Sequence, residues 1–438
     1  MTIRKLFEPN SVAVVGASRD PKKLGHVIVK NLIEADFEGK IYPVNPETDE
    51  ILDLKCYPSL DEAPKKTQLA VIVIPAKKVP SILKQCKENN VRNAIIISGG
   101  FSEFDEEGKE LEEEVLEIAE EMGIRILGPN CQGINNTSNG LCATWPLVTK
   151  KGPLSIVTQS GTIAAALSHW AQEENIGIAK TAILGNKADI DEADIINYLA
   201  GDDETGVIAL YLEGVEKGRK FLEAARKAAE EKPVVVLKGG KTELGAEAVK
   251  SHTQSYAGKY EIFESACRQE GIILVDSLTE LYNVCKGIAK LPEPDGKNTI
   301  IVTSSGGSGI LAVDAIEDLE INLIDLPEQS IERLEENLPQ ECILKNPLDL
   351  TGSATAETFD ESIKILARYK DVQNMVIIVG DPISGIADIL KERYERLPLI
   401  PVFIGMGKLG DKEKEKLRDS EIPVFSDPAI AMKVANSL

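Results

Sequence analysis

The chain is poor in histidine and in aromatic side chains. Three histidines occur among 438 residues, and Phe, Trp and Tyr together make up 5%. So few rings argue against a stacking surface for single-stranded nucleic acid. Basic residues are also in the minority: 49 Lys and Arg stand against 71 Asp and Glu, a formal net charge of −22. A surface of that sign repels nucleic acid and anionic membranes. It does not exclude a small anion, because N–H groups at helix starts bind phosphate locally. No apolar run reaches the about 18 residues of a membrane helix. The start, MTIRKLFEPNS, lacks a cationic segment followed by an apolar one. The seven cysteines, Cys56, Cys86, Cys131, Cys142, Cys267, Cys285 and Cys342, are scattered and form no CxxC. That usage fits a reducing cytosol, and so a cytoplasmic location, and argues against structural zinc. No metal-ligand set is legible.

Short apolar runs alternate with helical periodicity along most of the chain. SVAVVGAS (11–18), GKIYPVNP (39–46), QLAVIVIP (68–75), NAIIISGG (93–100) and GIRILGPN (123–130) form a first series. LSIVTQSG (154–161), IAKTAILGN (178–186), GVIALYLEG (206–214), PVVVLKGG (233–240) and GIILVDS (271–277) form a second. TIIVTSSGG (299–307), INLIDLP (321–327), NMVIIVG (374–380), PVFIGMG (401–407) and IPVFSDP (422–428) form a third. Valine- and isoleucine-rich strands alternating with helices indicate parallel sheets covered on both faces. The expected fold class is α/β: three consecutive open parallel-sheet domains over residues 1–145, 150–290 and 297–438. WPLVTKKGP (145–153) and LPEPDGKN (291–298) read as the crossings.

In the first series VAVVGAS runs from a strand into a glycine turn, an arrangement that aims backbone N–H groups at an anion. The segment VGASRDPKKLGHVIVKNL contains no GxGxxG. YPVNP stands where a ribose-binding acid would be expected, which argues against NAD. Lys22 and Lys23 occupy the loop, within reach of a phosphate. Pro75 and Pro129 follow strand ends, the edge at which open sheets bind ligands. His26 reads as a packing or surface residue.

In the second series, VTQSGTIAAAL places Ser160, Gly161 and Thr162 at a helix start whose first N–H groups are free for phosphate. GPNCQG (128–133) is a second glycine-bounded turn, and YLEG puts Glu213 at a strand end. His252 lies in the small polar stretch SHTQSYAG. An imidazole can attack phosphorus if one ring nitrogen is free and the other is held, best by a carboxylate. Glu213 is the leading candidate for that carboxylate. A loop or capping histidine is the plainer reading of His252, and a turn carboxylate that of Glu213. His169 has helical neighbours and reads as structural.

Taken in order, VAVVGAS with PKKLG, PVNP, AVIVIPA, GPNCQG, TQSG, GNKAD, YLEG, SHTQSYAG and NPLDLTG resemble a known family. It is the alpha subunit of ADP-forming acetyl-CoA synthetase, or acyl-CoA synthetase (NDP-forming), in the succinyl-CoA synthetase superfamily. The resemblance spans nearly the whole chain. It implies a Rossmann-like CoA-binding domain followed by two flavodoxin-like, succinyl-CoA synthetase-like domains, the first of these two resembling the ligase-CoA domain. Gly16, Ala17, Ser18 and Gly25 would surround coenzyme A, with Lys23 near its phosphates and Val44, Asn45, Ile74 and Pro75 lining the pocket. His252 would be the phosphorylated histidine, steadied by Glu213. Ser160, Gly161 and Thr162 would hold phosphate. Asn130 and Cys131 would fall in the loop at the active centre, Cys131 as a packing residue rather than a nucleophile.

The resemblance also implies the reaction acyl-CoA + phosphate + ADP ⇌ carboxylic acid + CoA + ATP, with acetate or a related small acid as substrate. It implies an ATP-grasp beta subunit that carries the nucleotide and Mg²⁺, in an α2β2 assembly. The stretch KGGKTELGAEAVKSHTQSYAG, with glycines near both ends, is expected to let the histidine travel between the two sites. Two departures stand out. Many relatives read SHTG where this chain has His252-Thr253-Gln254, and often TNAGG where it has TSSGG (303–307). The competing reading is a non-catalytic CoA-binding sensor, which would not need His252 beside a phosphate-binding helix start.

Overall fold

The computed structural model describes residues 3–253, 258–394, 397–405 and 407–438, with the side chains of His252 and Thr253 outside the described part. Met1–Leu281 forms one compact unit and Tyr282–Leu438 another. The first unit holds two sheets. Strands β1 (Ser11–Val15), β2 (Lys40–Val44), β3 (Leu69–Ile72), β4 (Asn93–Ile96) and β5 (Arg125–Leu127) pair in parallel in the order β2-β1-β3-β4-β5. β1, β3 and β4 are buried along their whole length because helices cover both faces. A parallel bridge from Val44 to Tyr57 adds a segment outside β2. Counted in chain order with that segment, the sheet reads 3-2-1-4-5-6, the doubly wound order with its switch point beside β1. Helix α1 (Leu24–Glu34) follows the turn after β1.

The second sheet draws in more chain than the apolar runs announce. Strands β6 (Gly133–Asn136) and β7 (Leu141–Ala143) form a hairpin. They join β8 (Leu154–Thr158), β9 (Ile178–Ile183), β10 (Val207–Leu212), β11 (Val234–Lys238) and β12 (Ile273–Val275) in the order β12-β11-β10-β8-β9-β6-β7. β6 runs antiparallel to β9, so this sheet is mixed rather than wholly parallel. The stretch GINNTSNG is polar, yet Asn135 and Asn136 are fully buried. Burial is possible because each side-chain amide donates to a backbone carbonyl, Asn135 to Val148 at 2.9 Å and Asn136 to Phe7 at 3.0 Å. The two sheets are tied by the Arg125 guanidinium, which donates to Asp189 at 2.9 Å and Asp194 at 3.0 Å. The Phe7 and Tyr198 rings stack at 4.8 Å nearby. Helix α2 (Gly161–Glu173) follows β8, and helices α3 (Glu243–Thr253) and α4 (Tyr260–Gln269) follow β11.

The second unit contains β13 (Asn298–Thr303), β14 (Asn322–Leu323), β15 (Leu348–Asp349), β16 (Asn374–Val379) and β17 (Leu399–Phe403). The order is β14-β13-β16-β17, and β15 pairs in parallel with the far end of β13. IPVFSDP, read as a strand, contributes only a single bridge from Phe425 to Val402. Lys286 lies buried in this unit, donating to the Val424 carbonyl at 2.8 Å with its ammonium 4.6 Å from the Phe425 ring centroid.

Candidate active site

The turn after β1 is built almost entirely from backbone. Gly16 has φ +91°, and its N–H donates to the Val44 carbonyl at 3.0 Å. A Cβ on Gly16 would lie 2.3 Å from the Val73 carbonyl oxygen, and one on Gly25 would lie 2.0 Å from the Gly16 carbonyl oxygen. α1 therefore closes on the turn only because both positions lack a side chain. The Asn45 amide donates to the Ala17 carbonyl at 2.7 Å. His26 Nδ1 lies 2.9 Å from the Ser18 carbonyl, so a protonated Nδ1 donates to it. Gly16, Ala17, Ser18, Gly25, Val44 and Asn45 thus meet in one place. Ile74 lies against Gly16, and the exposed Pro75 lines a 780 Å³ cleft with Gly100, Phe104 and Leu111. Lys22 and Lys23 are exposed on the loop, and Lys23 is the residue before α1.

A run of contacts leads from this turn to the second sheet. Ser98 accepts the Ile74 N–H on its hydroxyl at 3.2 Å and donates that hydroxyl to the Ile74 carbonyl. Its own carbonyl accepts the Asn130 N–H at 2.9 Å. The Asn130 amide donates to Asn186 at 3.3 Å, and Asn186 donates in turn to Glu103 at 2.7 Å and Glu112 at 2.9 Å. Gly185 packs so closely on this loop that a Cβ there would lie 2.3 Å from the Asn130 carbonyl oxygen. Asn130 is exposed, whereas Cys131 points into the core, its thiol 3.3 Å from the Ile96 carbonyl. Burial pushes the Cys131 thiol up to about 12, so it carries almost no thiolate at neutral pH.

The Gln132 side chain lies over Gly161, where a Cβ would fall 1.9 Å from its amide nitrogen. Ser160 caps α2 as expected, its hydroxyl accepting the Ile163 N–H. Thr158 fixes the turn by accepting the Ser160 N–H at 3.0 Å. The first turn of α2 contains no acidic residue, so its N–H groups and dipole favour an anion.

Glu213 follows β10 and is 5% exposed. Tyr211 donates its hydroxyl to the Glu213 carboxylate at 3.4 Å, and burial followed by the Glu213 charge pushes the phenol up to about 12. Gln159 Oε1 accepts the N–H groups of Glu213 at 2.6 Å and Gly214 at 3.1 Å. The Lys238 ammonium donates to the Glu213 carbonyl at 2.6 Å, and the Lys187 ammonium to the Gly214 carbonyl at 2.7 Å. Gln159, Lys187 and Lys238 lie inside TQSG, GNKAD and PVVVLKGG, where the sequence pattern assigns them no role. The available signal was a lysine closing the apolar run VVVL.

His252 falls in the last turn of α3; its side chain and residues 254–257 lie outside the described residues. The stretch read as a flexible arm is helical from Glu243 to Thr253. Thr242 starts the helix, its hydroxyl accepting the Gly245 N–H at 3.1 Å and its carbonyl the Ala246 N–H at 2.8 Å. The alanines and glutamates that follow favour helix over the loose chain that the glycines suggested. His169 is exposed and its Nε2 lies 3.3 Å from Glu173.

A CoA-binding domain model matches residues 10–137, a succinyl-CoA ligase-like flavodoxin domain model matches 151–288, and a ligase-CoA domain model matches 299–384. The ligase-CoA description therefore attaches to the third sheet. Acetate–CoA ligase (ADP-forming) II subunit alpha of Pyrococcus furiosus is 39% identical over 442 residues, covering 99% of this chain and 96% of that protein. Acetate–CoA ligase (ADP-forming) I of Archaeoglobus fulgidus is 40% identical, and the match covers all of this chain but 63% of the relative. The solved structure of Ca. Korarchaeum cryptofilum dinucleotide forming acetyl-coenzyme A synthetase 1, in complex with phosphate and ADP, superposes with a TM-score of 0.93 at 35% identity. That match covers 99% of this chain and 96% of the solved one. A relative matched almost end to end, three domain models in order and a whole-chain structural match lead to one conclusion: the chain belongs to the ADP-forming acyl-CoA synthetase family, in its alpha-subunit form.

Proposed function

We propose that this chain interconverts acetyl-CoA, phosphate and ADP with acetate, CoA and ATP through an acyl phosphate and a phosphohistidine. Phosphate oxygen attacks the thioester carbonyl, the C–S bond breaks, and CoA leaves as the thiol. A ring nitrogen of His252 then attacks phosphorus, the P–O bond to the acyl group breaks, and acetate leaves. A terminal oxygen of ADP finally takes the phosphoryl group from His252, breaking the P–N bond and forming ATP. Glu213 holds the other ring nitrogen of His252 and stabilises the ring while it carries positive charge. The start of α2, with Ser160, Gly161 and Thr162, binds the phosphate and then the phosphoryl group. Gly16, Ala17, Ser18, Gly25, Val44, Asn45, Ile74 and Pro75 hold CoA, with Lys23 near its phosphates. Asn130 borders the acyl group.

The supporting observation is the convergence within one unit of the glycine-bare turn, the exposed Asn130, the capped start of α2 and the buried Glu213. Acetate is inferred from the names of the two curated relatives. Among the described residues no cluster of three or more metal-ligating side chains occurs. We assign Mg²⁺ with the nucleotide to an ATP-grasp beta subunit, where it would neutralise phosphate charge. The alpha-subunit relative is matched nearly whole and the other relative over 63% of its length, which supports such a partner. We place the assembly, an α2β2 heterotetramer, in the cytoplasm.

The test mixes the chain with its partner subunit, labelled ATP and Mg²⁺. An acid-labile, alkali-stable label on this chain is expected, absent in H252A and retained in H169A. Failure to label in the presence of a competent partner, with CoA still bound, replaces this reading with a CoA-binding sensor.

A further inference from the structure

We propose that Lys238 is a positioning residue for phosphoryl transfer: with Lys187 and Gln159 it grips every backbone polar group of Glu213–Gly214 and so fixes the direction in which the Glu213 carboxylate is presented. The inference rests on the reading that Glu213 serves His252.

The dipeptide has two N–H groups and two carbonyls. Gln159 takes both N–H groups, Lys238 takes the Glu213 carbonyl, and Lys187 takes the Gly214 carbonyl. These side chains come from the ends of β8 and β11 and from the loop after β9, so three neighbouring strand ends secure one turn. Each of the four backbone groups therefore has a side-chain partner, so the turn is held at four points by groups that themselves come from other strand ends.

The two lysines are treated differently. Lys187 has a carboxylate partner, Glu192, at 2.9 Å, and both are buried. Lys238 is 3% exposed, and among the described residues the acceptors within hydrogen-bond reach of its ammonium are two carbonyls, those of Glu213 and Gly239. The Phe263 ring from α4 lies 6.0 Å away. Burying an ammonium without a hydrogen-bonded carboxylate is costly, and such groups concentrate at functional sites. The charged groups acting on Lys238 are Lys187, which repels it, and Glu213, which attracts it; Tyr211, hydrogen-bonded to Glu213, is the nearby titratable neutral group. Burial, then Lys187, lowers the Lys238 amine from its usual range to about 8. Lys238 therefore loses its proton as pH rises through about 8, and its pull on the Glu213 carbonyl weakens there.

The experiment is label transfer from ATP to the complete complex between pH 6.5 and 9.5, for wild type, K238M and K238R. Wild type should show an alkaline limb near pH 8. K238M should lose at least tenfold in labelling rate and lack the limb, with CoA affinity unchanged. K238R should recover much of the rate and move the limb upward, since guanidinium stays protonated. An NMR titration of the Lys238 side chain in the wild-type chain adds a check without a variant: a midpoint that coincides with the alkaline limb of labelling supports the proposal, and a limb at a pH where Lys238 does not titrate overturns it. Wild-type rate and limb in a folded K238M also overturn it. If wild type takes no label on His252, the underlying reading fails instead.

Discussion

The turn after β1 and the turn after β10 occupy equivalent places, each at the C-terminal end of a central parallel strand, and are made from opposite materials. The first is shaped by what is missing: Gly16 and Gly25 let backbone approach backbone. The second is shaped by added side chains, with Gln159, Lys187 and Lys238 surrounding Glu213–Gly214. A sterically defined turn suits a long ligand that needs donors and space. A charge-defined turn suits a carboxylate whose direction matters. The first should therefore be sensitive to volume and insensitive to pH, and the second the reverse.

Three substitutions sharpen that contrast. Glu192→Leu should have the largest effect on stability, because it leaves Lys187 buried without its carboxylate. A loss of about 3–5 kcal/mol is expected, read from the urea midpoint. A loss below 1 kcal/mol would mean that Lys187 reaches water. Gly25→Ala comes next, since the new Cβ meets the Gly16 carbonyl and no flexible side chain can yield. Overpacking of this kind costs about 1–3 kcal/mol, and calorimetry should show CoA binding weakened at least tenfold across pH 7 to 9. Undiminished CoA affinity in folded G25A would remove the turn as the coenzyme site. Ser160→Ala is the mildest change. Loss of the cap should cost about 1 kcal/mol, seen as a lower melting temperature with CoA affinity intact. A matching loss of CoA affinity would tie the start of α2 to the coenzyme instead of to phosphate.

Much of the fold was legible because it is local. Strands such as SVAVV and VVVLK are apolar runs that show they are covered on both faces, and the Ser160 cap announces α2. The hairpin at 133–143 was hidden because polar asparagines do not announce a buried strand until their amides find the Val148 and Phe7 carbonyls. The helix at Glu243–Thr253 was obscured by glycines, Gly239 and Gly240 before it and Gly245 in its first turn. IPVFSDP matched a strand in composition, but found a partner strand only at Phe425.

The sequence by itself determined the three α/β series, the bare turn at Gly16, the absence of a dinucleotide fingerprint and the family, because hydrophobic period, glycine and caps act over a few residues. Tertiary structure alone decided that Gln159, Lys187 and Lys238 meet at Glu213. Those neighbours are set by the strand order β11-β10-β8-β9. Strand order is a property of how whole faces bury against one another, and no local pattern specifies it.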